Sequence, residues 1–246
     1  MHFIGIDLAW TYKNETGICV IDEKGDIVFC ESKVYTDNEI AILIGKFAKK
    51  GVLVAIDAPL IVNNEEGSRL CDRLIMKDRI KGKRLSVFTA NRSYLLKIYG
   101  SIRGEALVSE IRKKNKSFII TSDFRSNKHI IFETFPTGIC LGLFSDIYPI
   151  KYKRKAKIPL KKTKEEMLRL LSRLGELEQD KIKVNNIKSY FNPNINLTSY
   201  TGSKLKHLED KVDAFLCSYC AYWCYKKGKV KLYGDDKDGF ILIPVN

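Results

Sequence analysis

The chain has 246 residues, 45% hydrophobic and 29% charged, so it can bury a substantial core, and one domain over residues 1–246 is expected instead of two independent ones. No apolar run approaches the roughly 18 residues of a membrane helix, and the seven cysteines, odd in number, read as reduced thiols and not as a disulfide scaffold. The net charge of +14 attracts phosphate backbones or other anionic surfaces, a lysine-rich solvated surface being the alternative.

The opening MHFIGIDLAW has no basic segment followed by a long apolar one, so it reads as a strand and not a secretion signal, and the protein is expected in the cytoplasm. Residues 2–9, 15–22 and 26–34 are three β-branched runs separated by turns such as Asp22-Glu23-Lys24-Gly25, which predicts an antiparallel meander. Residues 37–49 space Ile40, Leu43, Ile44, Phe47 and Ala48 as a helix that stops at Gly51. Val52 to Ile56 is apolar without alternation, as in a strand buried on both faces, and it is expected to pair beside the first.

From Ala58 to Asn127 the pattern changes to short basic pieces, read as an insertion between strands 4 and 5. Residues 129–135 form the next strand, and Pro136 suits the first turn of a helix through Leu143. A second basic patch, Lys151 to Lys164, precedes a helix opened by a capping box of Thr163 and Glu166 and closed by Gly175. Residues 176–202 look loop-rich, a last long helix spans 202–225, and Phe240 to Ile243 gives a short final strand.

Acids interrupt this pattern where apolar residues belong. Asp7 ends the run Phe3-Ile4-Gly5-Ile6, Asp57 follows Ala55-Ile56, and Glu133 follows Ile130-Ile131-Phe132. A buried carboxylate is costly unless it is paired or metal-bound, and open α/β sheets place their ligands at such strand ends. Asp210 and Asp213 share a face of the last helix at i, i+3 spacing, above a stripe of small residues through Cys217, Ala221 and Cys224. Taken singly, Asp57 is also a turn cap and Asp210 a helix-dipole partner. Taken together, clustered carboxylates repel, and the relief near neutral pH is a divalent ion or a shared proton. Oxygen-only ligands suit Mg²⁺ or Mn²⁺, and two such ions would activate a water and stabilise a leaving oxygen in phosphodiester hydrolysis.

Gly5-Ile6-Asp7-Leu8-Ala9-Trp10, Ala55 to Leu60, Glu133-Thr134-Phe135-Pro136 and Glu209 to Ala214, with Cys71-Asp72-Arg73 between them, resemble in order the motifs of an uncharacterised family of predicted ribonuclease-H-like nucleases. The paired Asp210 and Asp213 are similar to the closing D-x-x-D of Holliday-junction resolvases. The resemblance implies a ribonuclease-H-like α/β fold: a mixed five-stranded sheet flanked by helices. It also implies metal-dependent nuclease chemistry on DNA or RNA, with Asp7 bridging the metals, Asp57 and Asp213 completing the shell, and Glu133 and Asp210 supporting it.

In that reading Arg69, Arg73, Arg79, Lys83, Arg84, Arg92 and Arg103 of the insertion grip the phosphate backbone. Lys206 or His207 contacts a phosphate or is a solvated helix start, and Phe88 or Tyr94 stacks on a base or packs locally. The expected partner is nucleic acid, no membrane is expected, and a homodimer is compatible with the sequence. Three rivals stand beside this. An actin-like phosphotransferase, phosphohydrolase or ATPase shares the opening strands but needs a second copy of the fold and a Gly-rich adenosine loop, a non-catalytic nucleic-acid-binding protein leaves the acids unexplained, and a small-molecule or nucleotide phosphohydrolase is the third. Cys217-Ser-Tyr-Cys220 has zinc or redox spacing, but it lies within a helix and has no second pair.

Overall fold

Residues 1–124, 128–226 and 228–246 are described in a computed structural model. In chain order the elements are β1 (His2–Asp7), β2 (Thr16–Asp22), β3 (Ile27–Lys33), α1 (Asp37–Phe47), β4 (Val52–Asp57), α2 (Leu70–Lys77), α3 (Arg92–Tyr99), α4 (Arg103–Lys114) and β5 (Ile119–Ile120). There follow β6 (His129–Glu133), α5 (Pro136–Leu143), α6 (Leu160–Gly175), α7 (Ile187–Tyr190), α8 (Gly202–Tyr225), β7 (Val230–Asp235) and β8 (Gly239–Pro244).

The strands form one mixed sheet in the order β3-β2-β1-β4-β6-β8-β7, with β5 paired to β6 off this path. The first three strands are an antiparallel meander, and β4 lies parallel to β1 with Asp57 directly beside Asp7. The sheet therefore has eight strands where five were expected. The two residues of β5 are too short to show a period. Strand β7 is hidden because Val230 and Leu232 are exposed while Tyr233 points inward, so hydrophobicity and burial run out of phase.

Alternation along the central strands builds two faces. Ile4, Ile6, Val52, Val54 and Ile56 pack beneath α1 and α4, whereas Phe3, Leu53, Ala55, Ile130 and Phe132 pack beneath α5, α6 and α8. Buried on both sides, these strands carry no polar alternation, hence the continuous apolar runs. Helix α8 crosses the sheet at close range because β1 and β2 present glycines to it. A Cβ on Gly5 would clash with the Ala214 carbonyl and one on Gly17 with the Asp210 carbonyl, while Ser218 Oγ donates to the Phe3 carbonyl at 2.8 Å.

One boundary differs from expectation. Helix α6 starts at Leu160, a turn earlier than its expected cap, and Thr163 sits inside the first turn with its hydroxyl donating to the Pro159 carbonyl. The capping box is instead at α1, where Thr36 accepts from the Glu39 amide and the Glu39 carboxylate accepts from the Thr36 amide. The expected insertion contains α2, α3, α4 and β5. Its last residues, 125–127, lie outside the described residues. Helix α4 buries Leu107, Val108 and Ile111 in the core shared with α1 and β4, so this stretch is part of the packed body. Among the described residues no helix is long and apolar enough to cross a membrane.

Candidate functional site

Strands β1 and β4 end side by side, and their last residues point to the α8 face. In β1 the odd positions Phe3 and Gly5 meet α8, and Asp7 continues that row; in β4 Leu53 and Ala55 do the same, followed by Asp57. Because Gly17 sits opposite Asp7 in the β1–β2 register and touches the backbone of Asp210, the first turns of α8 are held against this strand edge. Asp7, Asp57, Asp210 and Asp213 thereby line one cavity of about 540 Å³, together with Trp10, Glu15 and Glu209.

Three lysines share these walls with six acids: Lys13, Lys153 and Lys206. Lys153 Nζ lies 2.6 Å from Asp213 Oδ2, and Lys206 Nζ lies 2.6 Å from Asp210 Oδ1 and 2.9 Å from Glu209 Oε1. Lys153 belongs to the irregular segment after α5, which is tied down on both sides. The Lys151 amide donates to Glu166, the Arg154 amide donates to Glu209 at 3.1 Å, and the Tyr152 hydroxyl donates to Asp213 Oδ1. Burial works against charge on Lys153, but Asp213, Asp57 and Asp7 outweigh it and hold its pKa well above the usual lysine value.

The acids themselves are hard to ionise together. Burial, then Asp213 and Asp57, pushes Asp7 well above the usual carboxylate range against the opposing pull of Lys153. Burial raises Asp57 to about 7, again with Lys153 opposing, and it raises Asp210 despite Lys206. Asp210 Oδ2 is buried without a hydrogen-bond partner. Such an orphaned acceptor and a wall with twice as many acids as lysines suit a hard cation, for which these four aspartates are the available oxygen donors. As they stand, no three acid, histidine or cysteine side chains among the described residues converge as a ligand set. The ammoniums of Lys153 and Lys206 lie among the carboxylates instead.

Glu133 stands apart from this group. In the β4–β6 register it sits beside Ile56, whose side chain faces α1 and α4, so strand parity sends it away from α8. Its two oxygens accept from Arg69 at 2.7 and 2.8 Å and from the Leu60 amide at 3.1 Å. Arg69 in turn meets Asp72 at 2.9 and 3.2 Å, and Asp72 accepts from the Ala90 amide. The cause of the expectation was sound, since an acid ending an apolar strand does find a partner. Here that partner is an arginine.

Several arginines expected to grip phosphate are likewise committed inside the protein. Arg69 and Arg103 are buried. Arg103 pairs with Asp37 at 3.2 Å and donates to the carbonyls of Ala9, Thr11 and Tyr35, fixing the turn that carries Trp10. Arg92 pairs with Glu105 and donates to the Val62 carbonyl, and Lys83 donates to the carbonyls of Ser145 and Tyr148. Arg73, Arg79 and Arg84 are exposed, Arg73 of α2 donating to the Ser68 carbonyl ahead of the helix and Arg79 to the Gly82 carbonyl. These arginines sit in a strongly basic stretch whose pattern carries no sign of which ones are paired.

Sequence reasoning missed Lys153, Tyr152, Glu209 and Trp10 as members of the site. Lys153 lies within the noted basic patch, but nothing local separates it from Lys151 or Lys155. Glu209 precedes Asp210 and was quoted only as part of its motif.

A family model described as "Protein of unknown function (DUF429)" matches residues 5–238. No curated protein and no solved structure matches the chain.

Proposed function

We propose that this chain, which belongs to the family described as protein of unknown function (DUF429), is a ribonuclease-H-like phosphodiester hydrolase that acts on nucleic acid with Mg²⁺ or Mn²⁺. The observation that carries the reading is the convergence of Asp7, Asp57, Asp210 and Asp213 on one cavity at the ends of parallel strands. The antiparallel β1–β3 meander with β4 added beside β1 supports the fold assignment.

Asp7, Asp57, Asp210 and Asp213 are the residues that would hold a divalent ion, which would supply an activated water and neutralise charge on the leaving oxygen. The chain's own groups do the rest. Asp7 lies next to Asp57 in register and shares the cavity with the α8 acids, so it would be central among the residues holding such an ion. Tyr152 fixes the rotamer of Asp213 through its hydroxyl, and Glu209 anchors the segment that carries Lys153. Lys153, whose raised pKa keeps it cationic, lies at the cavity wall beside Asp213, where its ammonium would meet a substrate phosphate. Exposed Arg73, Arg79 and Arg84 with the net charge of +14 supply salt-sensitive attraction to the backbone.

A panel of single-stranded, duplex, hybrid and branched oligonucleotides with Mg²⁺ or Mn²⁺ tests this. Cleavage of at least one substrate is expected, with loss of about a hundredfold or more in Asp7→Asn and retained salt-sensitive binding. Equal cleavage by Asp7→Asn refutes the assignment. A second reading, nucleic-acid binding without catalysis, is favoured by the lysines already paired with Asp210 and Asp213. It predicts binding equally tight with and without Mg²⁺ and no cleavage of any substrate.

A further inference from the structure

A second cavity of about 450 Å³ opens beside the first, and the two share Trp10, Asp57 and Lys153. Its chemistry is different. Trp10, Phe88, Pro59 and Phe135 give it apolar and aromatic walls, and Lys155 supplies positive charge at the Lys153 side.

The aromatic side continues as a cluster. The Trp10 ring is stacked on Tyr99 at 5.1 Å with 19° between planes, Phe88 meets Trp10 edge-on at 5.0 Å, and Tyr94 packs on Phe88 at 5.8 Å. Phe88 and Tyr94 are 44% and 43% exposed, which is unfavourable for rings of this size unless something covers them. The rings are also held in place. Arg103 clamps the carbonyls on either side of Trp10, and the segment carrying Phe88 is pinned where the Ala90 amide donates to buried Asp72 at 3.1 Å.

We propose that this cavity takes one unstacked base of a single-stranded nucleic acid, laid against Trp10 and Phe88, with the adjoining phosphate at Lys153 where the two cavities meet. Aromatic rings lining a cavity with a lysine in the same lining match a base followed by a phosphate. Bases within a duplex keep their faces covered by their neighbours and cannot enter without leaving the stack. The inference deepens the hydrolytic reading by naming the substrate form, and it rests on that reading.

The chain has two tryptophans, so Trp223→Phe leaves Trp10 as the single reporter. Its emission is followed while a short single-stranded oligonucleotide, the same strand with abasic residues, or a blunt duplex is added in EDTA. The base-bearing strand is expected to quench Trp10 saturably, with the abasic strand and the duplex binding on the order of tenfold more weakly. Phe88→Ala, an exposed position, is expected to reduce affinity for the base-bearing strand alone by about fivefold or more. Equal affinity for abasic and base-bearing strands, or binding that leaves Trp10 unquenched, overturns the pocket. Base-dependent quenching without Mn²⁺-dependent cleavage sinks the hydrolytic reading alone, whereas cleavage indifferent to the abasic substitution sinks the pocket alone.

Discussion

Arg69 is enclosed by Glu133 and Asp72, away from the carboxylate cavity. Burial opposes its charge, but Glu133 and Asp72 more than compensate, and its side chain is 2% exposed. Removing one member of such a group leaves the others buried and unpaired, so Arg69→Ala is expected to lose about 3–5 kcal/mol in urea unfolding. A loss under about 1 kcal/mol contradicts the pairing. In the cavity the sign is reversed. Asp7 and Asp57 have folded pKa values above their unfolded ones, so the folded protein binds more protons in that window. Without divalent ions, stability should fall as pH rises from about 4 to 7, by up to about 1.4 kcal/mol per pH unit for each group. Denaturant midpoints across that range check it, and a flat or rising profile contradicts it. Asp7 and Asp57 were legible because an acid interrupting an apolar strand demands a partner. The same logic found Glu133 but not its direction, since strand parity depends on register. Lys153 was invisible, as an irregular segment has no period to mark an inward residue.

At the scale of elements, the approach of α8 to β1 and β2 assembles the site. Gly17→Ala forces a methyl group against the Asp210 carbonyl, and overpacking of this kind costs about 1–3 kcal/mol. It should also shift Asp210 and Asp213 away from Asp7. The expected result is a lower melting temperature together with weakened Mn²⁺ binding, and an unchanged melting temperature contradicts the close approach. Helix α8 was readable almost to the residue because it is long, and from Val212 to Tyr222 it is buried on every face. The antiparallel meander was readable from its turns. Strand β7 and the start of α6 were not, the first because Val230 and Leu232 face outward, the second because the helix begins at Leu160 with Pro159 as its N-cap residue, ahead of a decoy cap.

Across the whole molecule, the sheet gathers four aspartates from β1, β4 and α8 at one edge while the remaining surface carries the excess of lysine and arginine. In that contrast, an acidic cavity in a basic protein, Lys153 and Lys206 offset part of the negative charge. Composition showed the net charge but not its division between cavity and surface, which exists only after strands distant in sequence are brought together. Within the stretch expected as an insertion, α4 packs on the sheet face opposite α8 and Arg103 secures the Trp10 turn. The most direct test is the melting temperature of the wild-type protein and of Asp7→Asn, each measured with and without Mn²⁺ at neutral pH. Wild type should melt progressively higher as Mn²⁺ is added, through binding to the folded state alone, and Asp7→Asn should not respond. An equal rise in both proteins, or none in wild type, contradicts a cation site built on Asp7.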